Sequence, residues 1–225
     1  MRYILLAIVA VILAAGCTGP AELLRVEEKR AFPPNLLALG DAITFIGFPS
    51  VSDEMLECID NTSRDGLPKV HVMPHAEFRR SMLPWFESNR LPGAEPGDVE
   101  SLSRILLSPI VRQRVDDLRI RYLISLSATL DTQDRDWNRS YEFIVMFGGE
   151  TRETISLKAT ILDMRKIKPV AEIQAAAEGT HRVGIILFIP YVLTPDTTKV
   201  VCKAIANRLV NYFKGDDEAP SVKRN

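Results

Sequence analysis

The sequence predicts a mixed α/β fold of the α+β kind, and three observations carry that reading. Its 225 residues hold 46% hydrophobic and 25% charged side chains with 12 Gly and 14 Pro, the profile of an ordinary globular chain. Apolar residues recur at helical spacing in some stretches and alternate in others, so both helices and strands occur. Their order is strand, helix, strand, helix, helix, then a run of strands and a closing helix, which implies a mixed sheet with an antiparallel second half.

Ala42-Ile43-Thr44-Phe45-Ile46-Gly47-Phe48 is rich in β-formers and closes at Pro49-Ser50, as a first and central strand would. Ser52 stands where it can cap a helix whose first turn carries Asp53 and Glu54, with Met55, Leu56 and Ile59 on the buried side. Asn61 to Pro68 breaks that helix, and Lys69 to Met73 reads as a second strand. Pro74 opens a helix on Phe78, Met82 and Leu83 that Pro84 is expected to stop. Residues 87–97 hold two prolines and two glycines and read as a loop, after which Asp98 caps a helix on Val99, Leu102, Ile105 and Leu106. Ser108-Pro109 restarts the helix, proline sitting where its missing N–H is not needed.

Arg119 to Leu126 alternates on Ile120, Tyr122, Ile124 and Leu126, the pattern of a strand. Asp131 to Ser140 reads as a polar loop. Tyr141 to Phe147, Thr154 to Leu162 and Val170 to Ala177 then read as three strands, joined by Gly148-Gly149 and by the turn Lys166-Ile167-Lys168-Pro169. Gly184 to Leu193 is apolar at nearly every position. A strand covered on both faces explains it, and an exposed edge that docks a neighbouring subunit or a lipid surface is the alternative, with Ile185, Leu187 and Ile189 as its contact residues. Thr194-Pro195-Asp196 caps a last helix on Val201, Ile205, Leu209 and Tyr212, closed by Lys214-Gly215.

The flanks read differently from the body. Residues 1–16 form a signal peptide: Met1-Arg2, an apolar run from Tyr3 to Ala15, and small residues before Cys17. Leu13-Ala14-Ala15-Gly16-Cys17 resembles a bacterial lipobox, which implies acyl chains, palmitate among them, on Cys17 as the first mature residue. The chain would then be anchored to the membrane without spanning it. Thr18 in place of Asp favours the outer membrane, and a plain signal peptide or uncleaved anchor is the alternative. Residues 17–40, with Pro20, the run Glu27-Glu28-Lys29-Arg30 and Pro33-Pro34, read as a tether, 41–214 as one globular domain and 215–225 as a polar tail.

Composition and motifs exclude more chemistry than they suggest. Twenty-eight basic against 29 acidic residues give a net charge of −1, without the basic field that holds a phosphate backbone, so nucleic acid is not an expected partner. Neither the Gly-x-Ser-x-Gly elbow nor a phosphate loop or dinucleotide fingerprint occurs, so no cofactor is expected. His71 and His75 lie four apart with Pro74 between them, His181 reads as a solvated loop residue, and no metal site is expected. Asp134-x-Asp136-x-Asn138-x-Ser140 lacks the Gly and the bidentate Glu of a calcium loop. Cys58 and Cys202 either form a disulfide in an oxidising envelope or stay as buried thiols. Trp85 and Phe86 either anchor the following loop or face a partner. No catalytic residue is expected, the exception being a histidine that hydrogen-bonds a carboxylate, Ser or Cys in a concave pocket.

The strand ending in Ile46-Gly47-Phe48 and the strand Arg121-Tyr122-Leu123-Ile124 before a hairpin resemble the curli-secretion-lipoprotein and TolB amino-terminal-domain group. The segment Phe78-Arg79-Arg80-Ser81-Met82-Leu83-Pro84-Trp85-Phe86-Glu87 is similar to a set of uncharacterised proteobacterial lipoproteins. The resemblance covers about Asp41 to Phe213 and implies an envelope scaffold, oligomeric in some relatives. No segments of the length and alternation of the curli pore's amphipathic hairpins are expected. The functional expectation is a non-enzymatic lipoprotein of the outer membrane, facing the periplasm, serving as an assembly or adaptor subunit with a protein partner or as a homo-oligomer. The alternative is a regulatory lipoprotein that docks and activates a periplasmic enzyme such as a cell-wall synthase.

Overall fold

A computed structural model describes residues 18–19, 21–31, 37–38, 40–88, 99–135, 145–186 and 189–215. Its elements in chain order are β1 (Thr18–Gly19), β2 (Ala21–Arg30), β3 (Ala42–Gly47), α1 (Asp53–Gly66), β4 (His71–Met73) and α2 (His75–Ser88). They continue as α3 (Val99–Leu106), α4 (Pro109–Asp117), β5 (Ile120–Arg135), β6 (Val145–Asp163), β7 (Lys168–Ile186), β8 (Ile189–Pro195) and α5 (Thr197–Lys214). The sheet is mixed, in the order β1-β8-β7-β6-β5-β3-β4, with β2 added on β7, and it matches the expected α/β order with its closing helix.

The chain divides into two compact units. The larger comprises Leu23–Leu130, Ile155–Ala177 and Thr198–Asn225. Here β3 lies parallel to both β4 and β5, so successive side chains on these strands feed two cores. Ile43, Phe45, Tyr122 and Ile124 pack with Leu56 and Ile59 of α1 and with Val201, Ile205 and Leu209 of α5. Ala42, Ile120 and Leu123 pack with Phe78 and Met82 of α2, Leu102 and Leu106 of α3, and Val111 and Val115 of α4. Helices thus cover both faces, which explains why β3 reads as a nearly continuous apolar run.

Two buried ion clusters lie in this unit. Arg121 forks onto Asp163 through both guanidinium nitrogens, Nη2 to Oδ2 being 3.0 Å, and both side chains are almost fully buried. Asp163 Oδ1 also accepts the backbone N–H groups of Arg165 (2.9 Å) and Lys166 (3.4 Å), which holds the β6–β7 turn while Ile167 adopts φ +49°. Glu28 of β2 pairs with Arg30 and with Arg208 of α5.

The smaller unit comprises Met1–Glu22, Asp131–Thr154 and Glu178–Thr197. In it β8 runs antiparallel to β7, Ile186 opposite Ile189, and β1 lies parallel to β8 with Thr18 opposite Thr194. His181 Nε2 and Glu153 Oε2 are 2.8 Å apart, and Thr197 Oγ1 donates to Glu153 Oε1 at 2.9 Å.

Several sequence expectations are corrected. Within the stretch read as a tether, Ala21–Arg30 is a strand: β8 covers only Arg182–Ile186 of β7, leaving the earlier part of that edge for β2, while Leu23 and Val26 pack on the core. Gly148-Gly149 lies inside the 19-residue β6 rather than between two strands, and β5 runs to Arg135 through the start of the expected loop. Strands of 16 to 19 residues therefore exist where none of that length was expected. The apolar run 184–193 is split between β7 and β8, and the chain reverses between them. Pro84 does not stop α2, which continues to Ser88: proline's φ suits a helix, and the lost bond to the Arg80 carbonyl is a local cost that the rest of the helix tolerates. His181 sits in β7 and is bonded to Glu153, not solvated in a loop.

Candidate functional site

An open groove of about 770 Å³ lies in the larger unit between α1 and the start of α2. Helical spacing puts Asp53, Glu57, Asp60, Asn61 and Arg64 on one stripe of α1. Pro74, His75, Ala76, Arg79 and Arg80 face them from α2 and the residue before it. Ser52 fixes the register of the first helix: its Oγ accepts the Met55 N–H at 3.3 Å, and Asp53 and Glu54 complement the helix dipole. Pro74 fixes the second, its carbonyl accepting the N–H groups of Glu77 and Phe78.

At the floor of the groove, Asp60 Oδ2 accepts the His75 backbone N–H at 2.9 Å and contacts His75 Nδ1 at 2.6 Å. One carboxylate oxygen therefore caps α2 and orients the imidazole, leaving Nε2 as the ring's remaining polar atom. The Asp60 side chain is 4% exposed, and its Oδ1 has no hydrogen-bond partner. Around this floor the charges stand apart. Among the described residues, exposed Arg79 and Arg80 make no ion pair, Arg64 reaches only Asn61 Oδ1 at 3.5 Å, and Asp53 and Glu57 are likewise without an ion-pair partner.

The groove matters for catalysis because it contains a histidine bonded to a carboxylate in a concave site, the exception named on the sequence. It offers an oriented imidazole and its orienting acid, yet its lining residues include no Ser, Thr or Cys to serve as a nucleophile. Sequence reasoning missed it because Asp60 and His75 are fifteen residues apart, with a loop and a strand between them. The available signals were the acid at every helical turn of α1 and the histidine after Pro74.

The other singled-out residues are distributed as follows. Cys58 on α1 and Cys202 on α5 are joined as a disulfide, with Cα atoms 6.2 Å apart across 144 residues of sequence. Trp85 and Phe86 fall within α2, with side chains outside the described residues, as are Cys17 and Leu187. Ile185 ends up on β7 and Ile189 on β8. His71, on β4, is exposed and separate from His75, and among the described residues no group of three His, Cys, Asp or Glu side chains could hold a metal. No described helix is long and apolar enough to cross a membrane. One tyrosine is strongly perturbed: burial, reinforced by Tyr122, pushes the Tyr212 phenol up to about 12.

No protein-family model matches the sequence, and neither does any curated protein. Among solved structures it is similar to a PelC variant dodecamer from Paraburkholderia phytofirmans, at 10% identity over 85% of this chain and 97% of that one, with a TM-score of 0.36. A second PelC dodecamer from the same organism gives 13% identity over 88% and 96%, with a TM-score of 0.33. Lipoprotein GNA1162 from Neisseria meningitidis gives 13% identity over 76% and 99%, with a TM-score of 0.34. No role is carried across at these scores.

Proposed function

We propose that this chain is a non-enzymatic envelope lipoprotein, anchored in the outer membrane by acyl chains on Cys17 and facing the periplasm. In this reading it is an assembly or adaptor subunit that joins its neighbours through the open edge of β8. The observation that supports this is the state of that edge. On one side β8 is paired with β7; on the other, β1 meets only Thr194 and Pro195. Ile189 to Leu193 therefore has no second strand partner among the described residues, and Val192 is 63% exposed there. Apart from Pro190, which has no N–H to offer, an apolar strand with unpaired backbone groups is a template for a further strand.

Co-purification from envelope extract tests the reading. Wild-type protein should bring down its neighbours, and Val192→Lys should lose them while staying folded and membrane-bound. Retention of every partner by Val192→Lys would refute the β8 edge. Activation of a periplasmic enzyme is the second reading, and the groove between α1 and α2 is what favours it. It predicts a monomer whose partner is lost on charge reversal at Arg79 and Arg80 instead.

A further inference from the structure

The groove between α1 and α2 balances its charges as a whole and separates them within. Its lining sets three carboxylates, Asp53, Glu57 and Asp60, against three guanidiniums, Arg64, Arg79 and Arg80. Arg64 stands four residues past Asp60 on α1, and Arg79 four past His75, whose N–H and ring both meet Asp60. The acids therefore occupy one stretch of the groove and the arginines begin one helical turn beyond it. Among the described residues no ion pair joins the two sets. The floor adds an independent observation. Asp60 lines the groove with its side chain 4% exposed, and His75 takes up Oδ2 while Oδ1 is left without a donor. A buried acceptor in that state costs free energy until a donor reaches it.

The lining also says which chemistry would be held. It contains no aromatic ring, so it offers no stacking platform for a sugar or a base. Its only apolar residues are Pro74 and Ala76, too little for a hydrophobic ligand. A polyanion would suit the arginines and be repelled by the acids, and a polycation the reverse. A molecule with an ammonium at one end and a carboxylate at the other satisfies both, the carboxylate being what a guanidinium fork binds best. Spacing then sets the length. Four residues of helix rise about 6 Å, the step from Asp60 to Arg64 and from His75 to Arg79. In a single amino acid the ammonium and carboxyl groups are two bonds apart, less than about 3 Å. Two extended residues span about 7 Å. We propose that the groove binds a short peptide by its two free ends, a dipeptide being the smallest that reaches, with the ammonium on Asp60 Oδ1 and the carboxylate on Arg79 and Arg80. Exposed Asp53 and Glu57 set the direction by favouring the ammonium on their side, and Arg64 favours the carboxylate on the other. The inference does not depend on Cys17, on the β8 edge or on a partner enzyme.

Isothermal titration of the full-length, detergent-solubilised protein tests it with four probes: alanyl-alanine, its N-acetyl derivative, its C-terminal amide and free alanine. Alanyl-alanine should bind, and each of the other three should bind at least tenfold more weakly, because each lacks one end or the length. Asp60→Asn keeps an acceptor for the His75 N–H and removes the charge, and Arg79→Gln/Arg80→Gln changes two exposed positions; each should weaken alanyl-alanine at least tenfold with the circular dichroism unchanged. If Asp60→Asn does not fold, the arginine pair alone decides. Val192→Lys should bind as wild type does whether or not it assembles, which separates this result from the β8 edge. No binding of alanyl-alanine up to about 10 mM, where a site with Kd near 1 mM would be filled, would overturn the proposal. So would equal binding of the acetylated or amidated probe, or a folded Arg79→Gln/Arg80→Gln variant that binds as tightly as wild type.

Discussion

Changing Asp163 to Ala removes the acid that holds two things at once, and the cost can be worked from its contacts. Arg121 would be left as a buried charge without its partner, which typically costs about 3–5 kcal/mol. The N–H groups of Arg165 and Lys166 would lose their acceptor at the β6–β7 turn, where water can partly replace it, adding about 1 kcal/mol. A total near 5 kcal/mol is a large share of the 5–15 kcal/mol that holds an ordinary domain together. Urea unfolding followed by circular dichroism, with the disulfide intact, reads this as a fall in midpoint at unchanged slope. The double variant Arg121→Met/Asp163→Ala should recover about 3 kcal/mol, since it removes the stranded charge and leaves only the turn defect. An Asp163→Ala loss below 1 kcal/mol, or a double variant no better than the single one, would refute the assignment of this pair as a buried and mutually dependent unit.

Other predictions follow from separate features. Cys58→Ser/Cys202→Ser should lose about 3–5 kcal/mol in urea unfolding, because the bridge closes a loop across 144 residues and restrains the unfolded chain. Tyr212→Phe should remove a phenol that titrates near pH 12 in ultraviolet absorbance of the folded protein; its folded value is raised, so its contribution to stability is whole below pH 10 and is lost as pH rises through about 12. Cys17→Ser should give an exported chain released from membranes on fractionation, the acyl chains supplying most of the binding at about 0.8 kcal/mol per buried CH₂, and firm retention would contradict the lipid anchor. Purified protein should hydrolyse no ester, peptide or glycan substrate, and a turnover abolished by His75→Ala would contradict the non-enzymatic reading.

What could be read from the sequence was what depends on near neighbours. Ser52 and its following acids mark the start of α1 because a cap acts within one turn, and the structure puts Ser52 Oγ on the Met55 N–H. Pro109 opens α4 and Gly215 follows α5 for the same local reasons. Ile43, Phe45, Tyr122 and Ile124 were legible as core because strands covered by helices on both faces leave apolar runs. What failed depends on distant partners. β2 carries Glu27-Glu28-Lys29-Arg30, a charged stretch that looks solvated until β7 supplies its hydrogen bonds and Arg208 neutralises Glu28. β6 passes through Gly148-Gly149 because its neighbours in the sheet hold it, not its own propensity. The Asp60–His75 contact requires β4 to bring the start of α2 back to α1, which no spacing in the sequence reports.

Size-exclusion chromatography with light scattering on the detergent-solubilised full-length protein tests the central claim most directly. The account predicts a mass several times that of one mature acylated chain after subtraction of detergent, collapsing to a folded monomer in Val192→Lys. A wild-type chain that is monomeric at every concentration, or a Val192→Lys variant that assembles as fully as wild type, would contradict it.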